Sequence, residues 1–408
     1  RFRRQTIDQQ RSIATSNKAR ADAIVVTFAM FQRPLLPVCR AKLRPRPVYR
    51  HPLRNTLRPA RSLNTIMSVV PPALGSAAVI AVGAAFSYVC YKLLRLVFAD
   101  ADLHLLGLGE HKSNAFKDKV VWITGASQGL GEVLAKYFAG FGARIILSSR
   151  DSSKLERVKG SLGISDERVV VLPFDLCSNY TELEKAAAAA DSAFGSAGVD
   201  YLIHNAGASQ HALASETNEE VTDALMQLNA IGPIKLTRAM LPHLLRRNRG
   251  RVVVVGSMSS KLPSSGQAVY AAAKMALYGY FSSLATELSD TGVGVTICCP
   301  GPVATGSEET PRVVFGPTGR IVQNATGASN RLNPARAAQL IACAAAHRVD
   351  EAWIARHPVL AIGYIFQLLP RLGWSLLKKV GPARARAVKE GKSGYDVNKL
   401  MKAAGQNS

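Results

Sequence analysis

Three residues stand in a spacing that can move a proton. Ser257 precedes Tyr270 by thirteen positions, and Lys274 follows it by four in Tyr-Ala-Ala-Ala-Lys. Side chains at i and i+4 share one face of a helix, so the Lys274 ammonium is expected near the Tyr270 hydroxyl. A phenol with an ordinary pKa of about 10 is a poor base at neutral pH, and a neighbouring cation favours the phenolate and makes proton transfer feasible. A Tyr/Lys pair on a helix is usually only a surface pair. Weight comes from a serine at a strand end upstream and from a glycine-rich turn earlier in the chain.

That turn lies in Lys119-Val-Val-Trp-Ile-Thr-Gly-Ala-Ser-Gln-Gly-Leu-Gly131. An apolar run, Val120 to Ile123, is broken by Gly125, Gly129 and Gly131 and passes into Glu132-Val-Leu-Ala-Lys-Tyr-Phe, which has helical spacing. Strand, tight turn, helix is the arrangement in which a backbone without Cβ atoms can approach a diphosphate and a helix N-terminus can face it. Arg150 follows the second candidate strand, where an NAD enzyme would usually carry a carboxylate for the ribose hydroxyl; a cation suits a 2′-phosphate instead. Asp175 ends the third strand, where it could accept from an adenine amino group or cap the next turn. His204-Asn205-Ala206-Gly207 closes the fourth with small residues past which a dinucleotide can run, and His204 is assigned no chemistry.

The elements that must position these groups alternate regularly. Strands are predicted at Val120–Thr124, Arg144–Ser149, Val169–Phe174, Tyr201–His204, Arg251–Gly256, Val293–Cys298 and Ala352–Ile354. Between them lie amphipathic stretches such as Ser153–Lys159, Thr181–Phe194 and Glu219–Arg247. Uninterrupted Val and Ile runs belong to strands buried on both faces of a parallel sheet. Right-handed crossovers then give an α/β fold with a Rossmann-type doubly wound parallel sheet, its ligand cleft at the strand C-termini. Gly306–Leu332 turns to Gly, Thr, Asn and Pro and reads as a long loop, a candidate substrate lid; Asn333-Pro334 starts the next helix.

Taken in order, Thr124-Gly125-Ala-Ser-Gln-Gly129-Leu-Gly131, His204-Asn205-Ala-Gly207, Asn229 within Leu-Asn-Ala-Ile-Gly, Ser257, Tyr270-x-x-x-Lys274 and Pro300-Gly301-Pro302-Val303-Ala304-Thr305 resemble the successive signatures of the short-chain dehydrogenase/reductase family over roughly residues 118–357. His204 and Gln128 depart from the usual pattern. The resemblance implies a catalytic set of Asn229, Ser257, Tyr270 and Lys274. It implies NADP(H) held by Gly125, Ser127, Gln128, Gly129, Leu130, Gly131, Arg150, Asp175, Asn205, Tyr270, Lys274 and Thr305. Ser257 and Tyr270 would bind the substrate oxygen, Lys274 the nicotinamide ribose, Asn229 a relay water and Thr305 the carboxamide. A homodimer is compatible with it.

Composition bounds the remainder. The net charge of +23 is concentrated: residues 1–66 hold thirteen Arg and two Lys against Asp8 and Asp22, a net of +13 that leaves +10 for the rest. This Pro-rich segment is expected to be disordered or absent from the mature protein. Nucleic-acid binding would need aromatics among the arginines, and only Phe2 and Tyr49 sit directly beside one. Ser62 to Tyr91 carries no charge, and Val69–Tyr91 is 23 residues long, enough to cross a hydrocarbon core of ~30 Å. A single-pass anchor over 67–98, a linker over 99–117 and residence in a membrane, the endoplasmic reticulum foremost, are therefore expected. Residues 358–408 read as a hydrophobic cap or membrane-associated segment with a basic tail. The six cysteines show neither CxxC spacing nor a His cluster, so no metal site is indicated, and adjacent Cys298 and Cys299 should face opposite sides of a strand. The whole reads as an NADP(H)-dependent oxidoreductase interconverting a lipophilic alcohol and its carbonyl. The alternative is a catalytically idle, nucleotide-binding membrane scaffold of the same fold.

Overall fold

The computed structural model describes residues 80–90, 98–306, 312–323 and 331–391. Residues 1–66, and all but 80–90 and 98 of the expected anchor, lie outside them. The described residues 80–90 are helical, with Ile80, Val82 and Phe86 about 70% exposed. Among the described residues no helix is long and apolar enough to cross a membrane.

Seven strands form one parallel sheet in the order β3-β2-β1-β4-β5-β6-β9. They are β1 Val120–Thr124, β2 Arg144–Ser148, β3 Val169–Val171, β4 Tyr201–His204, β5 Gly250–Val255, β6 Val293–Pro300 and β9 Glu351–Ile354. β1 and β5 are buried at every position, as apolar runs without alternation require. The sheet is doubly wound. Helices α1 Leu103–Leu108, α2 Gly129–Gly140, α3 Ser152–Gly160 and α8 Pro334–Ala346 share one buried cluster, and α4 Tyr180–Ser192, α6 Gly232–Arg246 and α7 Ala268–Glu287 share the other. Cys298 belongs to the first cluster and Cys299 to the second, as a strand's alternation demands. The strand order reverses between β1 and β4, and the cleft opens there.

Three stretches differ from expectation. Residues 99–117 are packed into the domain: Ala101 and Phe116 are fully buried, Asp102 caps α1 through Leu105 N at 2.8 Å and accepts from Trp353 N at 2.7 Å, and Arg336 grips Asp100 with two bonds. The stretch 219–247 is broken into α5 Glu219–Met226, a π-turn at Gln227–Ile231 and α6. Within 306–332 the described residues form an antiparallel hairpin, β7 Arg312–Phe315 and β8 Arg320–Gln323, tied to the loop after β4 through Phe315 N to Ser209 O (2.8 Å) and His211 N to Phe315 O (2.7 Å). Beyond β9 the chain forms α9 Val359–Leu368 and α10 Pro370–Lys389.

Candidate active site

A cleft of about 1660 Å³ runs along the C-terminal ends of the strands. Its floor begins at the glycine turn. Gly125 has φ +65°, and a Cβ there would lie 2.7 Å from Ala206 Cα. Gly131 does not line the cleft itself, and a Cβ on it would stand 2.1 Å from Gly125 O and 2.6 Å from Asn205 Nδ2. It lets α2 lie close against β1 and β4. Asn205 lines the cleft, but its Nδ2 is spent on Thr124 O (3.2 Å) and Gly125 O (3.1 Å), bracing the turn from the neighbouring strand. At the start of α2 no side chain caps the helix, which leaves first-turn N–H groups at the cleft beside Ser127, Gln128, Gly129 and Leu130.

The proton-transfer residues sit further along. Ser257, at the end of β5, is nearly buried, and its Oγ accepts from Ser259 N at 3.0 Å, which fixes the side chain and leaves its hydroxyl proton to donate. Tyr270 and Lys274 lie on one face of α7 with Lys274 Nζ 5.9 Å from the centre of the phenol ring. Lys274 donates to Val255 O at 3.1 Å; burial pushes its pKa down to about 8. Asn229 is fully buried in the π-turn, where its Nδ2 donates to Ala208 O (3.0 Å) and Leu225 O (3.1 Å) and its Oδ1 accepts from Ala208 N (3.2 Å). A π-turn inserts a residue into the helix and so re-aims this side chain towards the cleft. Thr305 approaches from the loop after β6, and a Cβ on Gly129 would lie 3.6 Å from it.

One feature of this floor carries no signal in the sequence. Gln210, 1% exposed, accepts from both Val269 N (3.0 Å) and Tyr270 N (3.1 Å). It caps the helix that carries Tyr270 and Lys274 from sixty residues away. His204, the last residue of β4, is buried, with Nε2 2.6 Å from Thr237 Oγ1 and Nδ1 without a partner. Burial, with the charge of Lys274, pushes its pKa down to about 3, so the ring is neutral.

At the other end Arg150 and Asp175 line the cleft together with Arg320 of β8. Asp175 Oδ1 accepts from Cys177 N at 2.9 Å, the second of the two uses open to it in the sequence. Uncapped N–H groups, a backbone no Cβ could share, and the guanidinium of Arg150 after β2 form a donor set that fits a dinucleotide. Among the described residues no cluster that could hold a metal ion is present.

The sequence matches the model for short chain dehydrogenase over residues 119–312. It is 34% identical over 308 residues to dehydrogenase/reductase SDR family member 7 from Homo sapiens, spanning 74% of this chain and 89% of that protein. This chain belongs to the short-chain dehydrogenase/reductase family. The Mus musculus protein of the same name is 36% identical over 73% of this chain and 89% of its own length. Among solved structures, a short-chain dehydrogenase from Streptomyces avermitilis superposes with a TM-score of 0.55 at 25% identity, covering 65% of this chain and 98% of that one. The family is one of oxidoreductases that bind nicotinamide cofactors and act on small molecules.

Proposed function

We propose that this protein is a membrane-associated, NADP(H)-dependent oxidoreductase that interconverts a lipophilic primary or secondary alcohol and its carbonyl, with steroid, retinoid and xenobiotic carbonyls as the candidate classes. The observation that carries the reading is the lining of one cleft by Asn229, Ser257, Tyr270 and Lys274, with the glycine turn and Arg150 along the same trough. When bound, the reduced cofactor supplies the hydride. The protein's own residues do the rest. Ser257 donates a hydrogen bond to the substrate carbonyl oxygen and so favours the charge that develops there. Tyr270 donates the proton that turns this oxygen into a hydroxyl, and takes it back in the direction of alcohol oxidation. An ammonium beside the phenol eases each loss of that proton, and Lys274, held by Val255 O, is the cation in place. Asn229, fixed by three bonds to backbone, orients what lies between α5 and the cleft, and we assign it to a relay water. Arg150 favours NADP(H) because its guanidinium meets a 2′-phosphate rather than a ribose hydroxyl.

Lipophilic substrates suit the far end of the cleft, where Val359, Ile362, Trp374, Leu376 and Leu377 of α9 and α10 line it. The membrane reading draws on the uncharged stretch from Ser62 to Tyr91 and on exposed Leu368, Leu369, Leu372 and Trp374, with Arg371, Lys378 and Lys379 nearby. We read the anchor as single-pass in the endoplasmic reticulum. Turnover of a panel of lipophilic ketones and aldehydes with NADPH and with NADH tests the proposal. Reduction of at least one class, faster with NADPH, is expected; inertness towards all of them alongside tight cofactor binding would favour an idle scaffold.

A further inference from the structure

The trough ends between two cations from distant parts of the chain. Arg150 follows β2, and Arg320 opens β8 of the hairpin, and both line the cleft. The hairpin is not free to swing at its base. Phe315, directly across the β7–β8 pair from Arg320, is buried and bonded through N and O to the loop after β4, and the Arg320 guanidinium stands 5.0 Å from the centre of its ring. Among the described residues neither Arg150 nor Arg320 has an ion pair or a hydrogen bond to a side chain or backbone. The nearby acids are engaged: Asp175 caps Cys177 N, and Asp151 pairs with Lys154 at 3.2 Å. Arg150 and Arg320 are both exposed, and partial desolvation of Arg320, followed by the like charge of Arg150, holds it below the ordinary arginine range, while Cys177 and Asp175 act in the opposite sense. Arg150 and Arg320 share this end of the cleft with Asp175, whose single charge does not offset two guanidinium groups, so an anion placed there is favoured.

We infer that Arg320 is a second determinant of the 2′-phosphate site, clamping that group from the hairpin side of the cleft while Arg150 holds it from the sheet side. This rests on the NADP(H) reading above and adds a residue to it that lies 170 positions away in the chain. It also gives the hairpin a part in cofactor recognition. A stacking role on the adenine ring is the competing use of a guanidinium so placed, and it would serve both cofactors alike.

Titration of the full-length protein with NADPH and with NADH, followed by calorimetry in the absence of substrate, separates these uses. Arg320→Gln, which removes the charge and leaves a shorter polar side chain, is expected to weaken NADPH binding by about tenfold, the loss of one charge-assisted hydrogen bond, and to leave NADH binding within twofold. An equal loss for both cofactors, in a variant whose thermal unfolding midpoint matches that of the wild type, would overturn the inference in favour of stacking. If Arg150→Gln lowers NADPH affinity and Arg320→Gln does not, the inference fails and the cofactor reading stands. If the wild-type protein binds NADH as tightly as NADPH, the cofactor reading fails and takes the inference with it.

Discussion

The floor and the cover of the cleft are built on different principles. On the floor the chemical groups are held by direct bonds: Lys274 to Val255 O, Asn229 to the backbone of Ala208 and Leu225, and the first turn of the Tyr270 helix to the side chain of Gln210. The cover, α9 and α10, is held by a few side-chain bonds, Gln367 Nε2 to Lys261 O (3.0 Å), Arg384 Nη2 to Gln267 Oε1 (2.8 Å) and Lys389 to Glu216 (3.3 Å). It exposes apolar side chains as well: Leu368 is 74% exposed and Leu369 56%. Reaction chemistry needs positions fixed to a fraction of an ångström, whereas recognition of a lipophilic molecule needs apolar area and little direction. Damage to the floor should therefore cost catalysis or folding, and damage to the cover should cost only substrate capture.

The largest effect expected is from Tyr270→Phe. Removing the proton carrier should lower turnover by about 10²–10⁴-fold and leave NADPH affinity within twofold, since the ring is retained; a loss of less than about tenfold would mean that another group carries the proton. Next in size is Gly131→Ala. Its Cβ would meet Gly125 O at 2.1 Å and Asn205 Nδ2 at 2.6 Å, so α2 must shift; we expect a loss of about 3 kcal/mol in unfolding experiments. A stability near wild type would show that the turn is looser than the floor's other contacts.

Two buried bases sharpen the comparison by pH. Lys274 titrates at about 8 in the fold against 10.5 in the unfolded chain, so the unfolded state binds more protons between these values and stability rises with pH across that window. Lys274→Met should accordingly raise the melting temperature of the cofactor-free protein at pH 7 and lose that advantage by about pH 10.5. His204, at about 3 against 6.5, follows the same sign in acid: stability falls as pH drops from 6.5 towards 3. His204→Asn should flatten that acid limb. Identical pH profiles for wild type and variants would contradict the burial of these groups. The smallest effect belongs to the cover. Leu368→Ser with Leu372→Ser should change stability by no more than about 0.5 kcal/mol, leave turnover of a water-soluble ketone unchanged, and raise KM for a vesicle-partitioned one by about fivefold.

Legibility from sequence follows the same division. The parallel strands were readable because Val and Ile runs have no use other than double burial, and the catalytic spacing was readable because i and i+4 fix a shared face. Ends shifted where packing decides: β3 stops at Val171, and β6 continues to Pro300. The hairpin was hidden inside a polar stretch, although Arg312-Val-Val-Phe and Arg320-Ile-Val-Gln flank Gly-Pro-Thr-Gly in the manner of two strands and a turn. Gln210 and the π-turn at Asn229 could not be read, since a cap supplied from sixty residues away and one extra residue in a helix leave no local pattern. Nor did composition decide whether 358–370 caps or touches a membrane; Leu360 is buried, Ile362 lines the cleft and Leu368 faces outward, so one segment divides between inner and outer surfaces.

The central claim is hydride transfer to a lipophilic carbonyl in this cleft, and the origin of one hydrogen atom tests it. NADPH carrying deuterium at both C4 positions of the nicotinamide ring is supplied with a lipophilic ketone that the protein turns over, and the alcohol is analysed by mass spectrometry. The account predicts one deuterium on the carbinol carbon of every alcohol formed and a hydroxyl proton drawn from solvent. Alcohol without the label, or no alcohol from any ketone despite bound NADPH, would contradict it.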